Sequence, residues 1–245
     1  MMTPMPILIL HTGDPEAGLA RRHGSYAEML RRAAGLAPSD VHIVAVHEGQ
    51  QPEEPARYRA ALITGSPAMV TDREAWSEAC AGWLREAADA GLPMFGICYG
   101  HQLLAHALGG EVGYNPAGRE LGTHEIVLTP AAQEDPLLAG LPRTLPAQMM
   151  HAQSVITLPA GSVVLASSPM DGHQMLRLRP GVYSTQFHPE FQPEFVRDHI
   201  AHHADGYIRE GLDTTALRAA VADTAQAGSL LARFVACYAA EPRAA

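Results

Sequence analysis

The sequence predicts a three-layer α/β fold in which a mainly parallel, open sheet carries helices on both faces. Short apolar runs alternate with amphipathic stretches, as they do in βαβ units. The 245 residues are 47% apolar and 18% charged, which is ordinary for a globular domain with a substantial core. Between residues 111 and 180 the chain changes to short β runs separated by proline and glycine, which predicts a small additional antiparallel sheet.

Strands and helices alternate through the first part of the chain. Apolar runs predict strands at residues 7–10, 41–46, 60–64 and 95–98. Apolar residues at helical spacing predict helices at residues 25–34, 73–90 and 99–108. Glycines end these helices, as Gly35 does after the first and Gly91 after the second. We expect the active site at the carboxyl ends of the strands, where parallel sheets usually bind their ligands.

The rest of the chain is predicted as short strands followed by helices. Strands are predicted at residues 125–129, 148–151, 155–158 and 163–166, and a hairpin at residues 173–178 and 182–187. A helix follows at residues 193–209, and residues 214–240 hold one or two more, broken near Gly228. These patterns assign residues 1–210 to the main domain and residues 211–245 to a C-terminal helical extension packed on it.

Composition excludes several classes of partner and chemistry. A net charge of −9 and a pI near 5.8 argue against binding to nucleic acid or to acidic membranes. No apolar run approaches the ~20 residues that cross a bilayer, and residues 1–10 lack the features of a signal peptide. The three cysteines are odd in number and far apart, which predicts no disulfide framework and a reducing, cytoplasmic location. The absence of lysine excludes a P-loop and a lysine Schiff base.

Cys98 lies at the junction of a predicted strand and a predicted helix, between Gly96 and Gly100. A strand–turn–helix elbow needs glycine at those two positions, because side chains there would clash. The helix that begins at Tyr99 directs its positive end and free N–H groups at the sulfur, which favours a thiolate. The Tyr99 N–H is also available to hold an oxyanion. The alternative is that Cys98 is a small buried hydrophobe, as most free cysteines are.

An imidazole and a carboxylate, His188 and Glu190, follow the last predicted strand. We expect both side chains on the same side, because alternate residues of an extended chain share a side and Pro189 limits the slack between them. His188 would act as general base and then general acid, and Glu190 would fix its tautomer and stabilise the imidazolium. With Cys98 they would form a nucleophilic triad.

A second oxyanion donor is predicted in the turn after the third strand, Thr64-Gly65-Ser66-Pro67. Gly65 would let the backbone approach a ligand closely, and the N–H of Gly65 or Ser66 would face the developing negative oxygen. An ordinary βα turn would have the same composition. Proximity to Cys98 at the same sheet edge favours the functional interpretation.

Three motifs resemble the class I (triad) glutamine amidotransferase family: FGICYGHQ at residues 95–102, QFHPE at residues 186–190 and ITGS at residues 63–66. Two further segments, LGTHEI at residues 121–126 and MHAQSV at residues 150–155, are similar to stand-alone proteins related to the glutaminase domain of GMP synthase. The resemblance covers residues 5–200. It implies a flavodoxin-like fold and identifies residues 1–210 as a glutamine amidotransferase domain.

The resemblance implies that the Cys98 thiolate attacks the side-chain amide of glutamine, with loss of ammonia. Water then releases glutamate from a γ-glutamyl thioester, and no cofactor takes part. The resemblance also implies that Gln102 helps to hold the bound glutamine. The backbone around His151, Ala152 and Gln153 is expected to meet its α-amino and α-carboxylate groups. The family commonly has His-Gly-Asp at these three positions, so the departure leaves the far end of the substrate open.

Three functions fit these motifs. The first is a glutaminase that supplies ammonia to a separate acceptor or synthetase subunit, because the sequence contains no SGGxDS loop of an ATP-pyrophosphatase domain. The second is a stand-alone γ-glutamyl peptidase or hydrolase that acts on glutathione-like or γ-glutamyl amine compounds. The third is a catalytically silent regulatory or scaffold protein, although such proteins typically lose a member of the triad.

Two histidine-containing groups stand outside these motifs. His199, His202 and His203 lie on a predicted helix, where a one-turn spacing can bind a metal. Solvent-facing histidines explain the same pattern, and no metal site is predicted. His11 and Asp14, after the first strand, are placed to touch substrate, although turn chemistry explains them equally well. The sequence leaves the oligomeric state open.

Overall fold

The computed structural model of the protein describes residues 5–240. Its strands, in chain order, are β1 (Ile7–His11), β2 (Val41–Ala45), β3 (Ala60–Ile63), β4 (Met94–Ile97), β5 (Glu111–Tyr114), β6 (Glu120–Leu128), β7 (Thr144–His151), β8 (Gln153–Thr157), β9 (Val163–Ser167), β10 (Met175–Arg179) and β11 (Val182–Thr185). Its α-helices are α1 (Ala17–His23), α2 (Tyr26–Ala33), α3 (Ala75–Asp89), α4 (Tyr99–Ala107), α5 (Pro130–Gln133), α6 (Pro193–His202), α7 (Ala204–Arg209), α8 (Thr214–Ala220), α9 (Ala225–Gly228) and α10 (Leu230–Tyr238).

One mixed sheet organises the described residues. Its nine strands lie in the order β2-β1-β3-β4-β11-β10-β9-β6-β7, and β5 and β8 form a separate antiparallel pair. The strands from β2 to β11 pair in parallel, whereas each pair from β11 to β7 is antiparallel. The predicted fold class is confirmed. Most of the predicted antiparallel strands extend the main sheet, because the β10–β11 hairpin continues its edge.

The sheet is buried on both faces, as a three-layer fold requires. Along β1, Ile7 and Ile9 face one apolar cluster, while Leu8 and Leu10 face the other. Helices α2 and α10 contribute to the first cluster, and helices α3 and α4 contribute to the second. This alternation explains why the parallel strands are continuous apolar runs and not alternating ones.

Some predicted elements have different bounds. The single helix predicted at residues 193–209 is divided at His203, whose backbone has φ −100° and ψ 13°, into α6 and α7. The division places the Tyr207 hydroxyl 2.8 Å from His199 Nε2. Helix α1 was not predicted from the sequence, because Leu19 is its buried residue and one apolar position sets no periodicity.

Residues 211–240 form three helices, α8, α9 and α10, where one or two were predicted. The predicted break near Gly228 is present, since α9 ends there and α10 begins at Leu230. Leu230, Leu231 and Phe234 join the apolar cluster on one face of the main sheet. The division of the chain at residue 210 stays a prediction, and its ends at residues 1–4 and 241–245 lie outside the described residues. Between residues 5 and 240, every helix is too short or too polar to cross a membrane.

Candidate active site

A cavity of about 240 Å³ opens where the parallel strands end. Strands β1, β3, β4 and β11 run in the same direction, so the loops that follow them meet at one edge of the sheet. Cys98, Ser66, Gln102 and Gln153 line this cavity, together with His188. The loops predicted to carry chemistry therefore converge on one space.

Cys98 stands between the end of β4 and the start of α4. Its backbone has φ 50° and ψ −99°, a conformation that costs energy for a residue with a side chain. Two hydrogen bonds hold it there: the Cys98 N–H donates to the Thr185 carbonyl at 2.8 Å, and the Gln102 N–H donates to the Cys98 carbonyl at 3.0 Å. The thiol consequently lies at the apex of a strand–turn–helix elbow, as the glycine pattern predicts.

The glycines that flank Cys98 are required by close packing. A Cβ at Gly96 would lie 2.5 Å from the Gly100 carbonyl oxygen. A Cβ at Gly100 would lie 2.8 Å from both Cβ and the carbonyl oxygen of Ile63, on β3. The neighbouring backbone atoms leave no room to yield, so helix α4 lies against the sheet only with glycine at these positions.

Replacing Gly100 with alanine is expected to destabilise the protein by about 2–3 kcal/mol, because the added methyl overpacks against Ile63. The matched control is Gly82→Ala in α3, where an added Cβ meets nothing within 4 Å. That change is expected to stabilise by about 0.5–1 kcal/mol, since alanine has the higher helix propensity. Denaturant unfolding measures the change in the free energy of unfolding of each variant. Equal changes in the two variants would contradict the close packing at Gly100.

His188 and Glu190 form a buried pair. The His188 Nδ1 is 2.8 Å from Glu190 Oε1, and the side chains are 4% and 1% exposed. Phe191 stacks on the imidazole with a ring separation of 4.1 Å and an angle of 6°. The strand predicted to reach residue 187 ends at Thr185. His188 is therefore positioned by its contacts with Glu190 and Phe191, and not by strand pairing.

The protonation of His188 is governed by its neighbours. Burial lowers the pKa of the imidazole, but the charges of Glu190 and Cys98 outweigh burial and raise it to about 10. Nδ1 faces the carboxylate, and Nε2 is buried without a hydrogen-bond partner among the described residues. A Cβ on Gly65 would lie 3.1 Å from His188 Cε1 and 3.8 Å from Cys98 Cβ, so the three residues lie close together, and Cys98 and His188 line the cavity.

The predicted oxyanion turn is braced by Thr12. The Thr12 hydroxyl lies 2.9 Å from the Gly65 carbonyl, and the Ser66 hydroxyl donates to the Thr12 carbonyl at 2.7 Å. The Ser66 hydroxyl also accepts from the Ala68 N–H at 3.1 Å. These contacts occupy the hydroxyl, and the backbone N–H groups of Gly65 and Ser66 stay the predicted oxyanion donors.

The residues predicted to bind the substrate, Gln102 and residues 151–153, lie next to each other. Gln102 Nε2 donates to the Gln153 carbonyl at 2.9 Å and to Gln186 Oε1 at 3.0 Å. His151, Ala152 and Gln153 line the cavity, and the Ala152 carbonyl accepts from a backbone N–H at 2.9 Å. Gln102 therefore joins helix α4 to the segment predicted to receive the α-amino acid end.

Three contributors were missed from the sequence. Thr12 braces a turn 52 residues away, and no local pattern encodes that contact. Phe191 directly follows the His-Pro-Glu motif, and its position was a signal that could have been used. The carbonyl of Met150 lies 3.8 Å from Cys98 Sγ, which only the tertiary structure determines.

The remaining histidines have other partners. His11 Nε2 lies 3.1 Å from Asp14 Oδ1, and Asp14 lines the cavity. Within residues 5–240, three groups have ligand atoms within 4.8 Å of one another and could hold a metal: His11, Asp14 and His47; Glu16, His202 and His203; and Glu120, His151 and Asp171. His199 is in none of these groups; its Nε2 lies 2.8 Å from the Tyr207 hydroxyl, and burial lowers its pKa to about 3.

Comparison with known proteins agrees with this geometry. A family model described as glutamine amidotransferase class-I matches residues 22–203. The glutamine-hydrolyzing GMP synthase of Thermosipho africanus is 34% identical over 171 residues, which cover 69% of this chain. The chain spans 29% of the length of that protein. Gamma-glutamyl peptidase 4 of Arabidopsis thaliana is 27% identical over 213 residues, which cover 84% of this chain and 85% of the peptidase.

The fold has solved counterparts. The crystal structure of a glutamine amidotransferase from Thermotoga maritima superposes with a TM-score of 0.75 over 95% of this chain and 97% of the other. Its sequence identity is 17%, so the likeness is one of fold. The family model, in contrast, matches more than half of the sequence itself. The chain therefore belongs to the class I glutamine amidotransferase family.

Proposed function

We propose that this protein hydrolyses the γ-amide of glutamine through a γ-glutamyl thioester on Cys98, with His188 and Glu190 completing a Cys-His-Glu triad. The observation that supports this proposal best is that Cys98 lies close to the buried His188–Glu190 pair, next to Gly65. The backbone of Cys98 is held at φ 50°. A thiol of this kind needs a base with a fixed tautomer, and the contact of Nδ1 with Glu190 leaves Nε2 for that task.

The proposed reaction has two halves. In the first, the Cys98 sulfur, its proton held by His188, attacks the amide carbon, and the oxygen gains negative charge. The N–H groups of Tyr99 and of the Gly65-Ser66 turn stabilise that charge. His188 returns the proton to the nitrogen, the C–N bond breaks and ammonia leaves. In the second half, His188 takes a proton from water and hydroxide attacks the thioester carbon. The C–S bond then breaks, glutamate leaves, and His188 returns the proton to the sulfur.

Substrate binding is proposed at the wall formed by Gln102 and by His151, Ala152 and Gln153. The hydrogen bond from Gln102 to the Gln153 carbonyl holds this wall against the nucleophile's helix. We propose that backbone groups of this segment meet the α-amino and α-carboxylate ends of the substrate. Gln153 supplies no charge to an α-ammonium, so recognition there depends on neutral hydrogen bonds.

A second candidate is a stand-alone γ-glutamyl peptidase or hydrolase. The same cavity also reaches Glu16, Arg119, His203 and Tyr207. A leaving group as small as ammonia does not need this additional part of the cavity, whereas the amine part of a γ-glutamyl peptide would occupy it. The similarity to the Arabidopsis peptidase over 84% of this chain and 85% of that protein favours the same candidate.

The acceptor of ammonia separates these functions. The chain matches 29% of the GMP synthase, so a glutaminase of this kind would supply ammonia to a synthetase subunit not included in these residues. A peptidase would need no partner. A silent scaffold is disfavoured because Cys98, His188 and Glu190 are all present and two of them form a buried pair.

We also propose that the protein is located in the cytoplasm and that residues 211–245 are a helical extension of the amidotransferase domain.

The deciding experiment is a substrate panel. Glutamate release by the purified protein is measured on glutamine, glutathione and other γ-glutamyl compounds, with a Cys98→Ser background subtracted. Preference for a γ-glutamyl peptide or amine would select the stand-alone hydrolase. Slow turnover of glutamine alone would select an amidotransferase subunit that awaits a partner. No Cys98-dependent release from any compound would contradict both enzymatic functions.

A further inference from the structure

A buried carboxylate, Glu120, lies outside the proposed triad. It is the first residue of β6, and its side chain is 1% exposed. Burial of a charge is costly unless the charge is paired and hydrogen-bonded. The partners of Glu120 lead from the interior to the wall of the active-site cavity.

Three donors satisfy Glu120. Oε2 accepts from His151 Nε2 at 3.0 Å and from Gln174 Nε2 at 2.6 Å, and Oε1 accepts from Ser168 Oγ at 2.7 Å. Burial raises the pKa of this carboxyl group, but the hydrogen bonds from His151 and Ser168 outweigh burial and lower it. Glu120 is consequently an anion with a fixed orientation.

His151 links this anion to the backbone of the cavity wall. Its Nδ1 lies 3.0 Å from the Gln153 carbonyl oxygen, while its Nε2 faces Glu120. The ring is thus held between two hydrogen-bond acceptors, a backbone carbonyl and a carboxylate, and the two contacts together fix its plane. The bond to Glu120 is charge-assisted, because the carboxylate is ionised.

The Gln153 carbonyl is the point where this network meets the nucleophile's helix. It accepts from His151 on one side and from Gln102 Nε2, at 2.9 Å, on the other. The Gln102 N–H in turn donates to the Cys98 carbonyl at 3.0 Å. One chain of hydrogen bonds thus runs from Glu120 to the residue that carries the thiol.

We propose that Glu120 is a positioning residue for the γ-glutamyl substrate: through His151 it fixes the backbone of residues 151–153, which receives the α-amino acid end. This inference rests on the proposed function and adds a residue that does not touch the substrate. A merely structural Glu120 would affect folding and all reactions of Cys98 alike. A positioning Glu120 affects the binding of the substrate and leaves the thiol itself unchanged.

The test replaces Glu120 with glutamine, which keeps the shape and removes the charge. KM for the preferred substrate is expected to rise about tenfold or more, with kcat within about threefold of wild type. Glu125→Gln, on the exposed side of the same strand, is the matched control and is expected to leave both constants unchanged. A wild-type KM in Glu120→Gln would overturn the positioning role.

Labelling of Cys98 provides a readout that does not depend on turnover. Iodoacetamide reports the thiol alone, whereas 6-diazo-5-oxo-L-norleucine must bind as a glutamine analogue before it reacts. In Glu120→Gln the rate with iodoacetamide is expected to stay unchanged, and the second-order rate with the analogue to fall about as much as KM rises. An equal loss with both reagents would indicate general damage and overturn the proposal.

If Glu120→Gln fails to fold, Ser168→Ala tests the same network, since it removes one donor and leaves the anion in place. A rise in KM of about two- to fivefold is expected, and no change would overturn the proposal. The two proposals fail in different ways. Absence of Cys98-dependent glutamate release in the wild type contradicts the proposed function, whereas a wild-type KM in these variants contradicts only the role of Glu120.

Discussion

Replacing Cys98 with alanine is expected to abolish glutamate release, with a fall in kcat of about 10⁴-fold or more, while Tm shifts by less than about 2 °C. The proposed mechanism has no other nucleophile, so the covalent route is lost completely. Stability is spared because the hydrogen bond of the thiol to the Met150 carbonyl is long, at 3.8 Å, and alanine keeps the same backbone constraint. Steady-state assays and thermal melts of the purified variant measure both effects.

Cys80→Ala is the matched control for this experiment. Cys80 lies in α3 and is buried, and burial raises the pKa of its thiol to about 12, so it stays protonated and inert. Its loss is expected to lower Tm through a small cavity and to leave glutamate release intact. The two cysteine variants should therefore show opposite patterns. Activity that survives in Cys98→Ala would remove Cys98 from the mechanism.

Replacing Glu190 with glutamine is expected to lower kcat by about 10²–10⁴-fold. The carboxylate holds Nδ1 of His188 at 2.8 Å and raises the pKa of the imidazole, and an amide can do neither as strongly. The wrong tautomer or a neutral ring then leaves the Cys98 thiol protonated. The measurement is kcat together with the pH dependence of Cys98 alkylation by iodoacetamide, which should shift to higher pH in the variant.

The His188–Glu190 pair also predicts how stability depends on pH. The pKa of His188 is raised from 6.5 to about 10, so its contribution to the free energy of unfolding is fully present below pH 6.5 and is lost as the pH rises through 10. The stability difference between wild type and Glu190→Gln should accordingly be largest near pH 6 and smaller near pH 10. Denaturant unfolding at several pH values measures it, and a constant difference would contradict the buried ion pair.

The sequence by itself determined the parts of this protein that are local. The strand before Cys98, the glycines on either side and the helix behind it are encoded within nine residues, because backbone sterics decide whether such an elbow forms. The His-Pro-Glu motif is equally local, since two residues of separation place the imidazole and the carboxylate within reach. The parallel half of the sheet follows from continuous apolar runs, which report burial on both faces.

Only the tertiary structure decided what depends on distant contacts. Thr12 contacts Thr64, 52 residues away in the turn after β3, and Glu120 contacts His151, 31 residues away. The antiparallel strands join the main sheet because of pairing between strands, and no periodicity within a strand specifies its neighbour. His199 turns to Tyr207 because the helix divides at His203. Hydrogen bonds and pairings of this kind depend on which segments the fold brings together, so single-residue patterns carry no record of them.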